Sequence, residues 1–151
     1  MLRTLLKGSL TTAMKARDEI SVATLRLILA ALKDRDIAAR SKGDLEQISD
    51  DAILDLLQSM IRQRHESIDL FRTAGRHELA EREAKEIEII REFLPEQMNE
   101  EEIAEAVRDV MMELGATGLK DMGRTMGALK ERYTGRMEFA KASAVVKSQL
   151  G

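Results

Sequence analysis

The stretch EFLPEQMNEEEIAEAV, Glu92–Val107, holds the only proline of the chain, Pro95. Its reading decides how a helical chain is divided. Proline disfavours helix at the residue before it, so a helix arriving from the N-terminal side is expected to end near Phe93–Leu94. Asn99 is then followed three positions later by Glu102, a capping-box variant that opens a new helix. Glu100, Glu101 and Glu102 suit the positive N-terminal end of that helix, so we read them as a helix start and not as a metal site. A boundary is therefore expected near Leu94–Asn99. Residues 1–94 form an N-terminal helical subdomain and residues 95–151 a small C-terminal domain.

Upstream of this boundary the apolar residues recur with helical spacing. Leu2, Leu5, Leu6, Leu10, Ala13 and Met14 predict a first helix from Leu2 to about Ala16. RDEIS interrupts it, and Ser21 is the expected cap of a long second helix whose apolar face uses Leu25, Ile28, Leu29 and Leu32. SKGDLEQIS is a loop with Gly43 as breaker. Ser49 or Asp50 caps a third helix, striped by Ile53, Leu57, Met60, Ile61, Ile68 and Phe71. Gly75 closes it, where a positive φ is tolerated. The fourth helix, RHELAEREAKEIEIIREFL, alternates charges so densely that much of it faces water.

Downstream, the fifth helix ends at the loop ELGATG. A sixth runs from about Lys120 to Tyr133, the turn TGR follows, and a seventh covers MEFAKASAVVKSQL. The expectation is an all-α, multihelical protein: four helices in the N-terminal subdomain, then three. Composition agrees, since Ala, Leu, Ile, Met, Glu, Lys and Arg dominate and aromatic residues are 3%.

Other classes fall away on chemistry. With no cysteine there is no disulfide, thiolate metal site or cysteine nucleophile. No apolar run approaches the roughly 18 residues that span a bilayer. The N-terminal MLRTLLKGSLTTAMKAR is basic and amphipathic, as a mitochondrial targeting segment is, but its pattern runs smoothly into the next element. We read it as an ordinary first helix and expect a bacterial cytoplasmic protein. His65 and Asp69 share a helix face in HESID, yet a catalytic zinc site needs a third ligand and none follows. No metal and no cofactor are expected. GRTMG lacks the lysine–hydroxyl pair of a phosphate loop, and no serine sits in a nucleophile elbow. In RQRHESIDLFRTAGR, Arg62, Arg64, Arg72 and Arg76 are read first as a salt-bridged helix surface, with Glu66 and Asp69 as partners.

Charge is unevenly spread. Residues 1–42 have a net charge of +5, residues 92–118 of −7 and residues 119–151 of +4, within an overall −3. Such asymmetry permits an anionic partner. The last basic segment contains LKDMGRTMGALKERYTGR, Leu119–Arg136. Gly123 and Gly127 share one helix face, and each costs roughly 1 kcal/mol relative to alanine. Something must come close to that face. Packing against the fifth or seventh helix is one reading. The other is approach of an RNA backbone, with Arg124, Lys130 and Arg132 neutralising phosphates. Only Tyr133 and Phe139 lie near as stacking aromatics, so shape and backbone recognition is favoured over sequence readout.

AMKARD, QRHESIDLFRTAGRHELAEREAKEIEIIREFLPEQM and DMGRTMGALKERYTGR together resemble the GatB/YqeY family, in the same order and spacing over essentially the whole chain. The resemblance implies an N-terminal bundle followed by a three-helix domain like the tail of the B subunit of tRNA-dependent amidotransferases. Those enzymes are carbon–nitrogen ligases with glutamine as amido-nitrogen donor. Their tail contacts tRNA, while other domains bind ATP and carry out the chemistry. It implies tRNA, or a complex handling aminoacyl-tRNA, as partner, and a non-catalytic or accessory role. The alternative is a protein-interaction module without direct RNA binding. The positions carried over are Lys120, Gly123, Arg124, Gly127 and Arg136, to which the charge pattern adds Lys130 and Arg132. Many relatives follow the GR with Ala-Asp, where this chain has Met137-Glu138-Phe139.

Overall fold

The computed structural model describes residues 1–43 and 47–150. Among them are seven α-helices: α1 (Leu2–Ala16), α2 (Glu19–Ser41), α3 (Asp50–Thr73), α4 (His77–Arg91), α5 (Glu100–Leu114), α6 (Met122–Tyr133) and α7 (Phe139–Leu150). A 3₁₀ turn, Leu119–Asp121, precedes α6. The protein is all-helical among the described residues. The chain divides into one unit of Met1–Leu94, holding α1–α4, and a second beginning at Pro95, holding α5–α7.

In the first unit the core is built from Leu6, Leu25, Ile28, Leu32, Ile53, Leu57, Ile61, Ile87 and Ile90. α4 packs on α3 and α2, and α1 lies on α2 and α3. Leu5 and Met14, expected on the apolar stripe of α1, are about half exposed. Side chains set the next two helix starts. α2 is capped by Asp18, whose carboxylate accepts from the Ser21 N–H at 3.2 Å and the Ser21 hydroxyl at 2.7 Å. Ser21, the expected cap, is thus the donor to one. α3 is capped by Ser49, which accepts from the Ala52 N–H. Gly75 has φ +74, and the next residue, Arg76, donates its N–H back to Phe71 O at 2.8 Å, closing α3 as a left-handed terminus does. Part of the expected loop, residues 44–46, lies outside the described residues.

Polar contacts distant in sequence lock this unit. Arg3 donates two hydrogen bonds of 2.7 Å to Asp36 and a third, of 3.0 Å, to the carbonyl of Ile48. Asp36 in turn accepts from the Ile48 N–H at 3.0 Å. One buried carboxylate therefore ties α1, α2 and the approach to α3. Arg64 of α3 meets Glu86 of α4 at 3.0 Å. The expected partners on α3 itself, Glu66 and Asp69, form no ion pair among the described residues, because both are exposed while Glu86 lies across the helix pair.

α4 ends at Arg91, and Glu92, Phe93 and Leu94 continue as i→i+3 turns toward Pro95. The capping box of α5 is complete: Asn99 accepts from the Glu102 N–H at 2.8 Å, and Glu102 accepts from the Asn99 N–H at 3.5 Å. The core of the second unit consists of Ile103, Ala106, Val107, Val110, Leu129, Met137, Ala142 and Val146. α5, α6 and α7 pack against one another around it.

Candidate functional site

The start of α6 is set by Asp121. One of its oxygens accepts from the backbone N–H groups of Thr117 at 3.0 Å and Gly118 at 3.3 Å, and the other from Arg124 at 3.0 Å. These bonds, the Thr117 amide first, hold its carboxyl below the ordinary carboxylate range. They also draw Leu119–Asp121 into the 3₁₀ turn, so α6 begins at Met122, two residues later than the start near Lys120 expected from the sequence. Lys120 is carried on this turn, exposed.

α6 gives one face to the core through Thr125 and Leu129, which are fully buried, with Met122, Met126 and Tyr133 at the edges. At about 100° per residue, Gly123, Gly127 and Lys130 fall within about 60° of one another on a different face. All three are exposed. A β-carbon at either glycine would have no neighbour within 4 Å. Packing against α5 or α7 is therefore not what keeps these positions free of side chains.

The candidate cations divide into two kinds. Arg124 lies on the flank of this face, drawn to Asp121. Arg132 lies further round, toward α5, where it meets Glu113 at 2.5 Å. That bond raises the pKa of the guanidinium and lowers that of the carboxyl. Lys120 and Lys130 enter no ion pair among the described residues. Arg136 lies past the C-terminus of α6, in a turn anchored to the segment before α5. Met98 donates its N–H to the Arg136 carbonyl at 2.8 Å, Gln97 donates to the Gly135 carbonyl at 2.6 Å, and the Arg136 side chain reaches Glu96 O at 3.5 Å. So Gly123, Gly127 and Lys130 come together, Lys120 and Arg124 border them, and Arg132 and Arg136 stand apart. Tyr133 and Phe139 pack on the core and are half-buried, which withdraws them from the role of open stacking platforms.

Asp121 was not singled out from the sequence. Its signal is an aspartate three and four residues after Gly118 and Thr117, the local spacing at which a carboxylate reaches back to free amides.

Elsewhere, a groove of about 730 Å³ runs between α1, the start of α2 and the end of α4, past Gly8, Leu25 and Phe93. Its nearest approach to a reactive pair is Asp18 with Ser21, but that contact is the α2 cap, and Ser21 holds the Asp18 carboxyl low. His65 and His77 are both exposed. Among the described residues no three His, Cys, Asp or Glu side chains are grouped to hold a metal ion, and no helix is long and apolar enough to cross a membrane.

The family model described as "Yqey-like protein" matches residues 3–150, and the chain belongs to this family. Curated relatives include "Altered inheritance of mitochondria protein 41, mitochondrial" of Lachancea thermotolerans, 38% identical over 111 residues, which are 72% of this chain and 57% of the relative. The protein of the same name in Candida glabrata is 34% identical over 91 residues, 60% of this chain and 48% of the relative. That of Saccharomyces cerevisiae strain YJM789 is 34% identical over 90 residues, 60% and 46%. The chain spans about half the length of these relatives. Their names correct the cytoplasmic location expected from the sequence, since each is a mitochondrial protein.

Proposed function

We propose that this Yqey-like protein is a non-catalytic helical module that engages tRNA, or a complex handling aminoacyl-tRNA, through the open face of α6. The observation that carries the reading is the pair of exposed glycines, Gly123 and Gly127, with free space where side chains would stand. Such a face admits a backbone at close range, and the exposed Lys120 and Lys130 supply uncommitted positive charge beside it. Phosphate contacts of this kind position an RNA without reading its sequence. The resemblance of Asp121–Arg136 to the tail of the amidotransferase B subunit supports the same partner. It also suggests that any link to glutamine-dependent carbon–nitrogen ligation is an accessory one. The proposal takes the mitochondrial compartment of the yeast relatives.

One observation favours a protein partner instead. Met112 is 82% exposed and Leu119 56% exposed, on either side of the Gly115–Gly118 loop.

Binding of the purified protein to bulk tRNA across a salt series tests the proposal. Each lost phosphate contact lowers the log–log salt slope by about 0.9, so Lys120→Gln with Lys130→Gln is expected to flatten it by about 1.8. A wild-type protein that leaves tRNA unbound at low salt refutes the RNA reading and directs the search to a protein held by Met112 and Leu119.

A further inference from the structure

α2 presents a second cationic face, on the unit that does not contain α6. Arg26, Lys33 and Arg40 recur at seven-residue intervals. Seven residues are close to two helical turns, so the three fall within about 40° of arc, in steps of about 10.5 Å over about 21 Å. All three are exposed, and none enters an ion pair among the described residues. The positions between them on that face, Ala30 and Ile37, are uncharged and exposed. Of the neighbouring carboxylates, Asp36 is turned inward and held foremost by Arg3, with a weaker pull from Arg40. Asp34 lies about 80° round the helix from Arg26, and Glu19, one seven-residue step before Arg26, is exposed at the N-terminal end of the series and forms no ion pair with it among the described residues. Many other arginines of the chain are committed: Arg3, Arg64, Arg76, Arg82, Arg124 and Arg132 all form ion pairs.

We infer that this stripe is a second phosphate-contact surface for folded RNA, acting in addition to the α6 face; the inference rests on the reading of α6 as an RNA face. The surface chemistry favours RNA over other polyanions. A protein interface carries an apolar core inside a polar rim, and between the cations stand only Ala30 and Ile37, with the exposed Leu27 about 100° round the helix from Arg26. A helix lying in a membrane surface needs its apolar face free, whereas Leu25, Ile28 and Leu32 of α2 are buried in the core of the first unit. A polar, strongly cationic surface with little apolar area matches protein–nucleic acid interfaces.

The test compares four proteins on labelled bulk tRNA between 50 and 200 mM salt: wild type, the α2 variant Arg26→Gln/Lys33→Gln/Arg40→Gln, the charge-keeping α2 variant Arg26→Lys/Arg40→Lys, and the α6 variant Lys120→Gln/Lys130→Gln. The α2 positions are solvent-exposed, and an unchanged melting curve verifies the fold. At about 0.9 per contact, the α2 variant is expected to flatten the salt slope by about 2.7, weakening binding at 0.1 M salt by about two to three orders of magnitude. Arg26→Lys/Arg40→Lys is expected to keep the wild-type slope, because charge and not guanidinium shape is used. Wild-type binding by the α2 variant, with loss confined to the α6 variant, overturns the stripe and leaves the α6 reading standing. Absence of tRNA binding by wild type overturns both. Retention of wild type on phosphatidylglycerol vesicles, lost in the α2 variant while its tRNA binding is unchanged, assigns the stripe to a membrane and overturns the inference.

Discussion

Gly127→Ala separates the two roles a glycine can have in a helix. Gly127 is central in α6, which runs Met122–Tyr133, and a β-carbon placed on it would stand in open space. A mid-helix glycine costs about 0.8–1.0 kcal/mol relative to alanine through backbone entropy, and no clash offsets the gain here. The variant is therefore expected to be about 1 kcal/mol more stable. If the second unit melts on its own, that is a rise in Tm of about 4–8 °C; if the chain melts as one, about 2–4 °C. Gly135→Ala is the contrast. Gly135 is buried with φ +80, a conformation in which alanine is strained, so that variant is expected to lose more than about 1 kcal/mol. Thermal and urea unfolding followed by circular dichroism measure both, and tRNA binding is measured on the same samples. A more stable Gly127→Ala with weaker tRNA binding is the expected pair of results. Destabilisation by Gly127→Ala refutes the reasoning, because something would then be covering the face that the structure leaves open.

Asp36→Asn tests the clasp between α1, α2 and the approach to α3. Arg3, foremost through its hydrogen bonds, holds the Asp36 carboxyl below its ordinary value of about 3.9, so its contribution is complete above that pH and is lost as pH falls through the lower folded-state value. The variant is expected to lose about 2 kcal/mol at pH 7, the worth of charged hydrogen bonds in a part-buried pair, and to show a flatter stability profile than wild type below about pH 4, measured by urea unfolding across pH. Asn99→Ala removes the side chain that accepts the Glu102 N–H at 2.8 Å and is expected to cost about 1 kcal/mol, read from the same unfolding assay at pH 7.

The elements legible in the sequence were those specified by neighbours in the chain. Pro95, Asn99 and Glu102 lie within eight positions, and together they account for the end of α4 and the start of α5. Gly75 closes α3 by the same local logic. What escaped was specified at a distance. Arg3 and Asp36 are 33 positions apart, and Arg64 and Glu86 are 22 apart. Nothing in a helical pattern tells an arginine whether its carboxylate lies one turn away or across the bundle. Where two good caps compete locally, composition cannot choose either. Asp18 and Ser21 both satisfy the rule, and the carboxylate won because it accepts from the serine hydroxyl and amide together.

The candidate site shows the same division. That Gly123 and Gly127 share a face follows from their spacing of four. Whether that face meets protein or solvent depends on where α5 and α7 pass, which no local pattern contains. Charge proved harder to read than shape. Arg124 and Arg132 look equivalent to Lys130 in the sequence, yet partners occupy both arginines and not the lysine. The reverse holds in the first unit, where a net charge of +5 over residues 1–42 conceals a regular series. Asp36 cancels Arg3 inside the fold, and Arg26, Lys33 and Arg40 remain outside it in register. Net charge per segment counts both kinds alike. Exposure and register together distinguish them, because residues that share an outer face present their charge along one line.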